Sequence, residues 1–384
     1  MTATQAWWTL ASLLVAAVAL AAQAPLKDQV DVFTSGTDGY HTFRIPAIIV
    51  APNGDLLAFC EGRKRGRGDA GDIDIVMKRS ADGGKTWSRM QVVADHGPHT
   101  IGNPCPVVDG NTIFLLLTRN RGNESERAIM QGKTREPRTV WLTKSTDNGH
   151  TWSETVNISA TTRKPHWRWY ATGPGVGIKL RLGRFKGRLV IPCDHSDHSS
   201  GGHPYRSHVI YSDDHGATWR LGGVAADRCN ECQVVELADG SLMLNMRSYH
   251  GKGRRAIATS TDGGLTWTPP RLDDELIEPV CQASFLRYTL EGPQDKNRLL
   301  FSNPASRRRE KMTVRLSYDE GQSWPVARVV WPGPAAYSCL VVLPDMAIGC
   351  FYERGTRHPY EHITFARFTL AWLTDGADRI AETK

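Results

Sequence analysis

The sequence holds a single Cys-x-x-Cys pair, Cys229-Asn230-Glu231-Cys232, and no second one. A zinc site of the paired-cysteine type needs both halves, so no structural metal is expected. The 8 cysteines are even in number, as an oxidising compartment allows, but their scatter over 384 residues is not that of a small disulfide scaffold. Several lie in apolar runs such as Leu57-Ala58-Phe59-Cys60, where buried free thiols are common. After residue 25 there is no linker, no low-complexity tract and no heptad pattern, which excludes coiled coils and long disordered arms. Acidic residues are in deficit, leaving a formal net charge of +7. The basic residues are scattered apart from Arg63-Lys64-Arg65-Gly66-Arg67 and Arg307-Arg308-Arg309, so a solvated basic face and a site for an acidic ligand are both open and nucleic acid is not expected.

The first residues lack any Lys or Arg ahead of the apolar run Leu10 to Ala22. That run is otherwise the h-region of a secretion signal, with small residues at Ala19-Leu20-Ala21 and Ala22-Gln23-Ala24 for cleavage. Pro25 favours Ala21 over Ala24 as the cleavage position. Residues 1–24 are read as a signal peptide, with an uncleaved anchor as the rival, because Trp7 to Ala24 barely reaches spanning length. Residues 25–384 then form one exported domain, secreted or periplasmic, with no stable membrane partner.

What the chain has in plenty is one octet. Ser80-Ala81-Asp82-Gly83-Gly84-Lys85-Thr86-Trp87 returns in altered form, beginning at Ser145, Ser212, Ser260 and Ser317 and ending at Trp152, Trp219, Trp267 and Trp324. All copies fit Ser-x-Asp-x-Gly-x-Ser/Thr-Trp. Such a repeat means a propeller or a solenoid. Asp can accept hydrogen bonds from amides further round a turn, Gly supplies positive φ, and Trp gives an apolar plug whose N–H needs a partner. Strand-like segments such as Ile73-Asp74-Ile75-Val76-Met77 precede most copies, so each octet is expected at a hairpin tip. Roughly 345 residues at about 57 per unit give six units. The sixth, without an octet, joins Leu340 to Ala371 to the N-terminal strand and closes the ring. The predicted fold is all-β, a six-bladed β-propeller.

The octets resemble the Asp boxes of sialidases (neuraminidases), and Phe43-Arg44-Ile45-Pro46 ahead of them strengthens the resemblance. The remaining family segments follow in order over residues 30 to 371. The resemblance makes Arg44, Arg247 and Arg309 a substrate-binding arginine triad. Arg309 is favoured over Arg307 and Arg308 because it stands six residues before Arg315. In Glu61-Gly62-Arg63-Lys64-Arg65-Gly66-Arg67-Gly68-Asp69 it implies Arg63 as a further substrate contact and Asp69, ten residues before Arg79, as general acid/base. Asp72 and Asp74 are rivals, read as facing solvent or capping the strand. Asn230-Glu231-Cys232 implies Glu231 as the group that activates the nucleophile, which is Tyr337 in Pro334-Ala335-Ala336-Tyr337. Glu353 resembles the glutamate that supports the first arginine. Asn103-Pro104-Cys105 and Tyr170-Ala171-Thr172 are family-like approaches to the pocket, with Tyr170 or Thr172 as weaker contacts.

The resemblance implies a retaining exo-α-sialidase acting on sialylated glycans, with no metal or organic cofactor. The alternative is a non-catalytic Asp-box propeller that binds glycans. A binder has no use for Asp69, Glu231 and Tyr337 together, which favours the enzyme.

Overall fold

The computed structural model describes residues 26, 28–199, 204–292 and 295–380; the expected signal segment lies outside them. Largely apolar, almost wholly buried runs form Thr42–Val50 and Leu56–Arg63, which pair antiparallel from Thr42↔Arg63 to Val50↔Leu56 across the Pro52-Asn53-Gly54-Asp55 turn. Among the described residues the same antiparallel meander repeats along the chain in four hydrogen-bonded sheets. One sheet runs from Thr42–Val50 to Val156–Asn157, its two meanders joined by a single parallel pair, Ile73↔Thr100. Another is joined through the long strand Val326–Val342, whose first half pairs with Glu310–Ser317 and whose second half pairs with Ile348–Arg354. Gln29–Thr34 pairs antiparallel with His362–Phe368, the expected contact between the two ends of the chain. No helix of the described residues is long and apolar enough to cross a membrane.

Every octet sits at a hairpin tip, for example between Tyr205–Ser212 and Arg220–Asp227. In the first, Asp82 accepts from the Thr86 amide at 2.9 Å and from the Thr86 hydroxyl at 2.6 Å, while the Gly84 amide donates to Ser80 Oγ at 2.8 Å. The Thr86 hydroxyl and amide bonds hold the Asp82 carboxyl down at about 2. A depressed carboxylate contributes stability above its unfolded pKa and loses it as pH falls through the folded value, here towards pH 2. The tryptophans reach sideways: Trp152 stands edge-on to Phe59 at 5.7 Å and Trp219 to Phe114 at 6.1 Å, tying each tip to the preceding meander. The expectation that each indole N–H finds a partner fails. Trp87 Nε1 donates to the Gly84 carbonyl, whereas those of Trp152, Trp219, Trp267 and Trp324 have none among the described residues, so packing holds these rings.

Gly216 shows why the fifth octet position is glycine. Its φ is +79°, and a Cβ there would stand 2.3 Å from Phe114 Cζ. Gly216→Ala is expected to destabilise the fold by about 1–3 kcal/mol through backbone strain and overpacking. An unchanged denaturant midpoint would contradict this.

The 8 cysteines are all buried and free.

Candidate active site

The sheets shape the site through breaks in their innermost strands. Register shifts fall between Arg44 and Ala47, Gly102 and Cys105, Cys229 and Cys232, and Ala335 and Ser338. Each break contains or adjoins a side chain that lines one cavity of about 220 Å³: Arg44, Asn103, Glu231 and Tyr337. Bulges re-aim side chains and free backbone amides from the ladder. At three breaks those amides meet buried carboxylates, among them the Tyr337 amide, which donates to Glu353 Oε2. Ile45, a β-branched residue held at φ +64°, donates from its amide to Glu353 Oε1 at 2.9 Å, and Asn103 donates to Glu61 Oε1 at 2.8 Å. The carboxylates thus stabilise a backbone that sterics disfavour.

Arg44, Arg63, Asp69, Glu231, Arg247, Arg309 and Tyr337 all line this cavity. Tyr337 Oη donates to Glu231 Oε1 at 2.5 Å, and Arg247 Nη1 lies 2.8 Å from Glu231 Oε2 and 3.3 Å from Tyr337 Oη. The guanidinium carbons of Arg44 and Arg309 stand 5.1 and 5.6 Å from the Tyr337 ring centroid. Burial and the Glu231 carboxylate push the Tyr337 phenol well above its ordinary pKa against the pull of Arg247 and Arg309, so it is neutral at rest. Glu353 lies behind the cavity with no exposed surface. One of its oxygens takes Arg44 Nε at 2.7 Å and the other takes the Tyr337 amide at 3.1 Å. A single buried carboxylate therefore fixes both an arginine and the phenol's backbone.

Asp69 stands at the mouth, its side chain 56% exposed, with Oδ1 2.8 Å from Arg63 Nη2. Partial desolvation raises its pKa, but the Arg63 and Arg44 charges outweigh that and hold it below the ordinary carboxylate value. Arg63 also bonds Glu61, and its Nη1 caps the carbonyls of Arg67 and Gly68, so it braces the loop that carries Asp69. Arg308 is exposed and outside the cavity, while Arg309 lines it.

Two readings need correcting. Asp74 does not face solvent: it is buried, accepting from Tyr40 Oη at 2.6 Å and pairing with Lys64 at 3.0 Å. Tyr170 and Thr172 do not line the cavity, whereas Ala171 between them does. Strand alternation turns the outer two away, Tyr170 Oη towards the Thr162 carbonyl and Thr172 Oγ1 towards the Asn103 carbonyl.

The sequence reading also missed contributors. Tyr360 Oη accepts from Arg309 Nη1 at 2.6 Å, and its ring lies 4.0 Å from the Arg44 guanidinium, so it bridges two of the three arginines. Arg138, buried beside the cavity, stacks on Trp169 at 4.1 Å. An arginine ahead of the β-rich run Thr139-Val140-Trp141 was its available signal; Tyr360, in a polar loop, had none. Asp194 is fully buried, and burial with the Glu231 and Glu126 charges raises its pKa well above the ordinary carboxylate value.

Residues 54–351 match the family model described as "BNR repeat-like domain", which places the chain among BNR-repeat proteins. The sialidase of Micromonospora viridifaciens is 37% identical over 91% of this chain, which spans 55% of that relative's length. The exo-alpha-sialidase of Aspergillus fumigatus is 34% identical, with 92% of each chain covered. The solved structure titled "Hadza microbial sialidase Hz136" superposes with a TM-score of 0.78 at 30% identity, covering 90% of this chain and 69% of that one. The chain belongs to the sialidase family.

Proposed function

We propose that the protein is a retaining exo-α-sialidase that releases terminal sialic acids from glycoproteins, glycolipids and oligosaccharides. The observation that carries this reading is the convergence of Arg44, Arg247 and Arg309 around a phenol that donates to a glutamate at 2.5 Å. Sialic acid bears a carboxylate on its anomeric carbon, and arginines bind carboxylates with charge-assisted, geometrically specific hydrogen bonds. A carboxylate nucleophile would approach that anionic centre against repulsion; a neutral tyrosine does not, and sialidases are the recognised exception to the two-carboxylate scheme. In the proposed reaction Tyr337 Oη attacks the anomeric carbon as Glu231 takes its proton. Asp69 protonates the departing glycosidic oxygen, then deprotonates the water that releases the sugar. Two displacements retain the anomeric configuration.

The same proposal includes six blades, supported by the two larger sheets each consisting of two joined meanders. It also includes export through the N-terminal segment.

Turnover of a fluorogenic sialoside tests the reading directly, and none from acid to neutral pH would refute it. Asp69→Ala should lower kcat about 10²–10⁴-fold on natural glycosides and less on phenolic ones, whose leaving groups need no proton. Equal losses on both would contradict its role as acid. Because Arg63 and Arg44 depress the Asp69 pKa in the free protein, kcat/KM should decline with rising pH earlier than kcat does. Bound substrate neutralises the arginines and raises that pKa. Coincident profiles would oppose this. Arg309→Ala should weaken substrate binding far more than Arg308→Ala, and the reverse order would move the triad.

A further inference from the structure

The 220 Å³ cavity is sized for a single sugar. Two of its wall residues, Glu126 and Tyr205, also line a second, larger depression of about 790 Å³. Tyr205 Oη bonds the Glu126 carboxylate and lies 3.0 Å from Met130 Sδ, and its ring stacks on Tyr249 at 5.2 Å. The shared wall is therefore a braced partition, with Tyr249 on its inner side and the Met130 thioether on its outer side. The outer lining also carries two arginines, Arg127 and Arg168, and two histidines, His166 and His198, beside the neutral Gln131, Gly132 and Ser199. Among the described residues Glu126 is the one carboxylate in the lining, and it is tied to Tyr205. His166 pairs with Asp197 at 3.3 Å, but Arg127 and Arg168 have no ion pair among the described residues. The Arg168 guanidinium rests over Gly132, where a side chain would crowd it at 3.4 Å.

We propose that this depression is a second sugar subsite, holding a carboxylated sugar of the glycan to which the terminal sialic acid is attached. The inference rests on the sialidase reading and deepens it. A glycan bound in the inner cavity must continue outward past the shared wall, where its next acidic unit meets Arg127 and Arg168 with no carboxylate pairing them off. Charge complementarity in such a site gives selectivity among substrates rather than raw rate.

The test compares three substrates of the full chain: a methylumbelliferyl sialoside, sialyllactose and α2,8-linked disialyllactose. The unaltered protein should show a higher kcat/KM on the disialyl compound than on sialyllactose at low salt, with the advantage shrinking at high salt. Arg127→Glu and Arg168→Glu should each lower kcat/KM on the disialyl compound about tenfold and leave the methylumbelliferyl substrate within about twofold. Arg168→Lys should restore part of the loss. Equal losses on all three substrates, or no change on the disialyl one, would overturn the subsite while leaving the sialidase reading intact. Absence of turnover of all three by the unaltered protein would overturn both.

Discussion

Tyr337→Phe is expected to lower kcat on sialosides by about a thousandfold or more, with little change in the unfolding midpoint. The substitution removes one oxygen, the atom that donates to Glu231 at 2.5 Å and lies 3.3 Å from Arg247. The ring, which Arg44 and Arg309 flank, is kept. Substrate should still bind, since the arginines remain, so KM should move much less than kcat. A phenol that only packed or positioned would give the opposite pattern, a modest rise in KM with kcat preserved. That outcome would remove Tyr337 from the chemistry and leave Glu231 without a function in the proposed reaction.

The second large effect is expected at Glu353, which never touches the substrate in this scheme. Glu353→Ala removes the partner of Arg44 Nε and the acceptor for the Ile45 and Tyr337 amides at once. Breaking a buried ion pair leaves an uncompensated charge, costing about 3–5 kcal/mol. The left-handed Ile45 loses its support as well. Both stability and kcat/KM should therefore fall, the latter through misplacement of an arginine and the nucleophile together. Denaturant unfolding and steady-state kinetics on one preparation check both, and an unchanged midpoint would contradict the anchoring role.

Much of this site is legible in the sequence because the resemblance to sialidases supplies motifs and offsets that carry over residue by residue. It implies Asp69 ten residues before Arg79 and Arg309 six before Arg315, and both line the cavity. An octet's turn geometry is local, since its Asp and Ser bond only within the loop, so hairpin tips could be read from eight residues. Tyr360 and Arg138 were not legible, because their importance arises from neighbours distant in sequence: Tyr360 meets Arg44 and Arg309 only when the closing sheet brings them together. The error at Tyr170 and Thr172 was one of parity, since a one-residue difference in strand phase exchanges the faces. Asp74 was misjudged because Lys64 and Tyr40, which make its burial tolerable, reach it from other segments.

The central claim is that the phenol of Tyr337 becomes covalently bonded to the sugar. Fluorine beside the anomeric carbon slows both displacements by destabilising positive charge, and a good leaving group speeds only the first, so the intermediate accumulates. Intact-protein mass spectrometry followed by peptide mapping should find one added fluorosialyl group on the peptide containing Tyr337, and none in Tyr337→Phe. An adduct on Glu231 or Asp69, or turnover with inversion and no adduct at all, would contradict the account.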